Sequence, residues 1–139
     1  MTEENEKKRE YLMEYQKAKK DVQRLQTQLQ ELRLNKISPS CVIGDGMPHA
    51  LAFSDLSDYA VKVDEIEQDI KMARYRRIRA FQRVREYIEA LSDEREKLLL
   101  TYRYLRGWSW EKISVDMCCG IRTVYYIHGT ALSNLKKIA

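Results

Sequence analysis

The sequence predicts an all-α protein: a long antiparallel helical hairpin of coiled-coil type, followed by a small three-helix C-terminal unit. Three observations predict it. Glycine and proline are scarce, five and two in 139 residues, while 33% of the chain is charged, a balance that favours long solvated helices over a compact sheet. Two long stretches repeat apolar side chains at alternating steps of four and three, the spacing of a coiled-coil seam. From Ser92 onward that period gives way to shorter segments punctuated by Gly107 and Gly120.

The first helix is expected from about Thr2 to Asn35, where no glycine or proline occurs and the seam reads Tyr11, Tyr15, Ala18, Val22, Leu25, Leu29 and Leu32. The intervening Gln, Lys, Arg and Glu are good helix formers, and at about 1.5 Å per residue the helix spans roughly 45–50 Å. Residues 36–54 break the pattern with Pro39, Pro48 and the turn-forming Gly44-Asp45-Gly46, the signature of an irregular loop. Its Val42, Ile43, Met47, Leu51 and Phe53 are apolar enough to fold back onto the helices. A second helix is expected to start at Ser54 or Asp55 as cap. Its seam is Leu56, Tyr59, Val63, Ile66, Ile70, Ala73, Arg77, Ala80, Val84, Tyr87 and Leu91. Residues 1–91 thus form the hairpin domain, with the seams paired within one chain, between two chains as a dimer, or both. Arg77 is the one charged seam residue. It either packs its aliphatic stem and sends the guanidinium to water, or fixes helix register against Glu14 or Tyr15.

Residues 92–139 form the second expected domain. Ser92 or Asp93 caps a new helix, with Glu96 completing a capping box from Asp93; Leu98, Leu99, Tyr102 and Leu105 lie on its inner face, and it ends at Gly107. Ser109 caps a short helix, Trp110 to Met117, with Trp110, Ile113 and Met117 inward. Cys118-Cys119-Gly120 is a break, and the final helix runs from Ile121 to the end with Val124, Ile127 or His128, Ala131 and Leu135 inward. A helix, a tight turn and a second helix is the spacing of a helix-turn-helix. The last helix opens with Arg122, Thr123, Tyr125 and Tyr126 on its outer side, where a recognition helix meets base edges and phosphates. Arg122 suits guanine, the two tyrosines suit phosphate or a thymine methyl, and Ile121, Thr130 and Lys112 complete the expected contacts with double-stranded DNA.

The net charge of +4 permits nucleic-acid binding without requiring it. Its distribution is more telling, because Lys71 to Arg85 holds seven basic residues and no acidic one. That run is a solvated face or a support on the DNA backbone, where each cation adds salt dependence without sequence choice. The acidic cluster Asp64, Glu65, Glu67 and Asp69 reads as a solvated face. Cys41, Cys118 and Cys119 are odd in number with no paired spacing, which fits a reducing cytoplasm. No apolar run approaches the ~20 residues that span a bilayer, and the charged N-terminus lacks the apolar core of a signal peptide. Cys41 and His49 share a loop without two further ligands, and adjacent Cys118-Cys119 lacks the gap of a zinc site. Neither a metal, another cofactor nor an enzymatic activity is expected, and His128 reads as a packed side chain.

The stretch Leu98 to Leu135, LLLTYRYLRGWSWEKISVDMCCGIRTVYYIHGTALSNL, resembles region 4 of bacterial sigma factors. The likeness lies in Arg103, Tyr104 and Gly107, in Ser109, Trp110, Glu111 and Ile113, and in Thr123, Val124, Ala131 and Leu132. From Lys36 onward the chain resembles the ArpU/RinA-type regulators of phages and integrated elements, through Gly44 to Pro48, the run Ser54 to Ala60, and Ile127 to Leu132. The resemblance implies a phage or prophage late-gene activator in a bacterial cytoplasm, a homodimer on promoter DNA beside RNA polymerase. Two positions depart from the pattern: Cys118 stands where the turn usually has glycine, and Gly120 where the recognition helix usually has a Ser or Thr cap. The segment with which sigma factors bind the other promoter element is not evident. Two competing readings are a packaging adaptor like a phage terminase small subunit, and a module that binds RNA polymerase instead of DNA.

Overall fold

The structure, a computed structural model, describes residues 2–37 and 49–138, with the side chains of all but 36, 37 and 49–55. Those residues are all-helical as expected. Helices α1 (Glu3–Ile37) and α2 (His49–Glu89) form the long pair, and α3 (Glu94–Leu100), α4 (Trp110–Asp116) and α5 (Ile121–Asn134) follow. No described helix is long and apolar enough to cross a membrane.

The expected loop is shorter than residues 36–54. Lys36 and Ile37 continue α1, and α2 starts at His49 and not at Ser54 or Asp55. The Gly44–Pro48 patch, Cys41, Val42, Ile43 and Met47 lie outside the described residues, as do the side chains of His49, Leu51, Phe53, Ser54 and Asp55.

The chain divides into two compact units: Met1–Ala18 with Arg77–Ala139, and Lys19–Arg76. This division crosses both long helices and does not coincide with the expected boundary at Leu91. In the smaller unit the α1 and α2 seams meet within one chain. Val22, Leu25, Ile70 and Ala73 are buried together with Leu29 and Ile66 packed against them, and Arg33 Nη2 reaches Glu67 Oε1 at 3.0 Å.

The larger unit is built on the same antiparallel pairing. Tyr11 meets Tyr87 edge-to-face at 5.0 Å between ring centroids and Tyr15 meets Phe81 at 5.2 Å. Arg77 is half-buried, and the partners foreseen for it are engaged elsewhere, Glu14 with Arg83 at 3.9 Å and Tyr15 with Phe81. Leu56, at the head of the α2 seam, is exposed. The single core of this unit joins Leu12 of α1 and Val84, Ile88 and Leu91 at the end of α2 to Leu99, Leu100, Tyr104, Ile113, Val124, Ile127, Ala131, Leu132 and Leu135. Three polar ties reinforce the join. Lys8 Nζ donates to the Leu132 carbonyl at 2.9 Å, Gln16 Nε2 donates to the Tyr104 carbonyl at 3.0 Å, and the Tyr87 hydroxyl donates to the Lys136 carbonyl. Lys8 is buried and sets a cation on a carbonyl in the last turn of α5, where the helix dipole favours positive charge.

Leu99 is buried as the apolar spacing suggests, and Tyr102 and Leu105 pack partly buried against the core, but Leu98 does not follow. Leu99, Leu100 and Tyr104 are inside and Leu98 is exposed. Glu96 is buried on the same helix and accepts from Asn134 Nδ2 at 2.9 Å. A carboxylate thus occupies an inward position three residues before Leu99. Asp93 still caps the helix, accepting from the Arg95 and Glu96 amides, but the Glu96 carboxylate goes to Asn134 and does not close a capping box. Beyond Leu100 the helix widens into a π-turn, Thr101–Leu105, with Arg106 N donating to the Thr101 carbonyl at 3.0 Å. Helix α5 stops at Asn134, with Leu135 extended, and does not run to the end of the chain.

Candidate nucleic-acid interface

Helix α4 ends in a Schellman motif. Cys118 adopts a left-handed φ of 54°, its amide donates to the Val115 carbonyl at 3.2 Å, and the Cys119 amide donates to Ser114 at 3.1 Å, the paired 5→2 and 6→1 bonds of that ending. The Ser114 hydroxyl closes the turn on the Cys119 carbonyl at 2.6 Å. A β-carbon in this conformation costs about 1–2 kcal/mol, so the cysteine where glycine is usual is a strained residue. Cys118→Gly is expected to raise unfolding free energy by about 0.5–1 kcal/mol, the relief exceeding the extra entropy of an unfolded glycine. A higher denaturant midpoint is the check.

After the turn, Gly120 enters α5 in extended conformation and offers no capping side chain, so the first-turn amides point outward without a protein acceptor from the cap. Val124, Ile127, His128, Ala131 and Leu132 face inward, and the opposite side carries the residues foreseen from sequence. Arg122 and Thr123 are exposed. Tyr125 is 50% exposed and Tyr126 75%. Ile121 and Thr130 are half-buried, and the Thr130 hydroxyl donates to the Tyr126 carbonyl at 3.0 Å. Thr130 therefore has its hydroxyl occupied, whereas Arg122 and Tyr126, four residues apart, lie one turn above the other on the outer face.

Lys112 is also exposed but belongs to α4, where its ammonium sits 4.2 Å from the centre of the Trp108 ring. It is one of a group that the sequence reading did not assemble. Tyr102 and Trp108 stack at 4.3 Å with planes 16° apart, and the Arg106 guanidinium lies over both. Arg103 stands 4.2 Å from the centre of Trp110 and donates to the Trp108 carbonyl at 2.9 Å. The Tyr102 hydroxyl bonds the Asp116 carboxylate, which with burial raises its pKa against the opposing pull of Arg106. The signal was the alternation of aromatic and basic residues from Tyr102 to Lys112. The same residues also serve as helix and turn elements, which masks the alternation. Trp110 then meets Tyr125 edge-to-face at 5.4 Å, which fixes the outer face of α5 against α4.

Beneath this surface the Tyr104 hydroxyl and His128 Nε2 are 2.7 Å apart. Burial pushes the His128 pKa down to about 4, helped by the charges of Arg9 and Arg103, so the ring is neutral near pH 7 and shares one hydrogen bond with the phenol. Burial likewise raises the Tyr104 pKa, against Arg9 and Arg103, and the phenol keeps its proton. His128 is a packed core residue, as the sequence suggested.

Of the basic run, Lys71, Arg74, Arg76, Arg79, Arg83 and Arg85 are exposed. Among the described residues no group of three His, Cys, Asp or Glu side chains is placed to hold a metal ion. Comparison with known proteins finds no matching family model, no similar curated protein and no similar solved structure.

Proposed function

We propose that this chain is a sequence-specific DNA-binding regulator of transcription, acting by binding and not by catalysis, with α5 as its reading helix. One observation carries the proposal: Arg122 and Tyr126 project to solvent from the first turns of a helix whose opposite face is buried and whose position is set by a tight helix-turn-helix. That is the geometry by which a side chain reaches the major groove while first-turn amides take a backbone phosphate. The group of Arg103, Arg106 and Lys112 on aromatic rings adds cations held in fixed directions, suited to phosphates and not to base edges. The likeness to ArpU/RinA-type regulators and to sigma region 4 suggests activation of phage or prophage late genes, beside RNA polymerase in a bacterial cytoplasm. A homodimer reading two half-sites about 34 Å apart would supply the affinity that one such unit lacks.

The test selects preferred sequences from random duplex DNA, then compares selected and scrambled duplexes by gel shift at several salt concentrations. Selected DNA is expected to bind at least a thousandfold more tightly than scrambled DNA, both weakening steeply with salt. Arg122→Ala is expected to cost about 1–3 kcal/mol on selected DNA only. Arg106→Ala should weaken both duplexes alike and reduce the salt dependence. Equal affinity for the two duplexes defeats the proposal. Indifference to DNA, with co-purification of RNA polymerase, would instead make α5 a protein-binding helix.

A further inference from the structure

We infer that the sugar-phosphate wall of the DNA groove closes directly on the backbone of α5 at Gly129, so that the duplex contact runs from Arg122 for two turns along the helix. The inference rests on the proposed function and extends its site to a residue that offers no side chain. Among the described residues, Gly107 takes a left-handed φ of 73° and Gly120 caps α5, two places where glycine is ordinary. Gly129 is different. It lies inside α5 without a positive φ, where glycine is the poorest helix former after proline. Packing does not require it either, because a β-carbon added there meets no atom within 4 Å. Nothing within the chain calls for a glycine, which leaves close approach from outside as the role it serves.

Its position names the partner. Arg122, Tyr126 and Gly129 follow at steps of four and three, one stripe on the outer face, and Gly129 stands roughly 10 Å beyond Arg122 along the helix. The major groove is about 12 Å wide and a helix with its side chains about 10–12 Å across, so a seated helix has little room at the groove wall. The surroundings suit an anionic wall. From Ile121 to Ala139 the chain has three basic residues and no acidic one. Arg9 of α1 is exposed, and its charge acts on His128, the neighbour of Gly129. Of the acids at the start of α1 and on α4, Glu3 and Glu4 are paired with Lys7 and Lys8, and Asp116 with the Tyr102 hydroxyl. Glu6 and Glu111 are exposed, against Arg9, Arg103, Arg106 and Lys112. One turn beyond Gly129, Asn5 of α1 donates to the Ser133 hydroxyl at 3.4 Å, which ends the open stretch.

The full chain tests it by gel shift on selected and scrambled duplexes, with urea midpoints reporting the fold. Gly129→Ala is expected to raise the urea midpoint, because alanine is the better helix former and meets open space. It should nevertheless weaken binding to selected DNA on the order of tenfold, because the added methyl is pressed into the wall. Scrambled duplexes, held by phosphate charge without a seated helix, should bind about as before. Gly129→Leu should lose more than Gly129→Ala on selected DNA and stay folded. Selected DNA bound as tightly by Gly129→Ala as by the wild type overturns the inference. So does an equal loss on both duplexes, or a loss accompanied by a lower urea midpoint, which would make the glycine structural. Those results leave the proposed function standing, since the wild-type chain still separates the two duplexes. A wild-type chain that does not separate them defeats the proposed function, and this inference falls with it.

Discussion

Leu12→Ala is expected to destabilise the larger unit by about 2–5 kcal/mol, the usual cost of removing a fully buried leucine. The size follows from where Leu12 stands. It belongs to α1, near the opposite end of the sequence from α5, yet it is completely buried in the same cluster as Leu99, Ile113, Val124 and Leu132. Truncation would leave a cavity among elements that cannot collapse independently, because Lys8 and Gln16 tie the same helix to backbone carbonyls at Leu132 and Tyr104. Both tryptophans, Trp108 and Trp110, lie in this unit, so urea unfolding followed by tryptophan fluorescence reports on it selectively. Leu32→Ala, on the half-buried seam of the smaller unit, should leave that signal nearly unchanged. If Leu12→Ala also leaves it unchanged, the α3–α5 elements fold without α1.

Acid should weaken the same unit through His128. The unfolded histidine takes up its proton near pH 6.5, whereas in the fold burial, then Arg9 and Arg103, hold its pKa down to about 4. Between those values unfolding takes up a proton, so stability is whole above pH 6.5, declines as the pH falls and levels off below about 4. A difference of this size amounts to about 3 kcal/mol. Carboxylates titrate in the same range, so the informative quantity is the difference between the wild-type chain and His128→Gln, which keeps an acceptor and does not titrate. Denaturant midpoints from pH 7 to pH 4 should fall less in His128→Gln. Parallel curves would mean that His128 is solvated in the folded protein.

Much of the fold was legible because helices declare themselves locally. The 3.5-residue period of Val22, Leu25, Leu29 and of Ile66, Ile70, Ala73 placed those seams correctly, and Asp93, Ser109 and Gly120 marked the helix starts they occupy. The outer face of α5 was legible for the same reason: Val124, Ile127 and Ala131 define an inside, so Arg122 and Tyr126 follow on the outside. Errors arose where a polar side chain is satisfied by a distant partner. Glu96 reads from the sequence as half of a capping box, and nothing local singles out Lys8, because charge normally stays in water. Each is met by a distant group, Glu96 by Asn134 through both oxygens and Lys8, beside its neighbour Glu4, by the Leu132 carbonyl, and no local pattern encodes a partner 38 or 124 residues away.

The sequence by itself determined the helical class, the two long seams of coiled-coil period, the turn between α4 and α5, and which side of α5 faces out, whereas the pairing of the seams within one chain was decided by the tertiary structure. Periodicity, capping and turn chemistry act over a few residues and are written in consecutive letters. Only the tertiary structure decided that the first turns of α1 complete the core around α3 to α5, that Glu96 points inward, and that cations gather on the rings of Tyr102, Trp108 and Trp110. Those outcomes depend on which surfaces meet once the chain has folded, where burial of Leu12 beside Leu132 and a single hydrogen bond to a buried charge outweigh what either residue prefers alone.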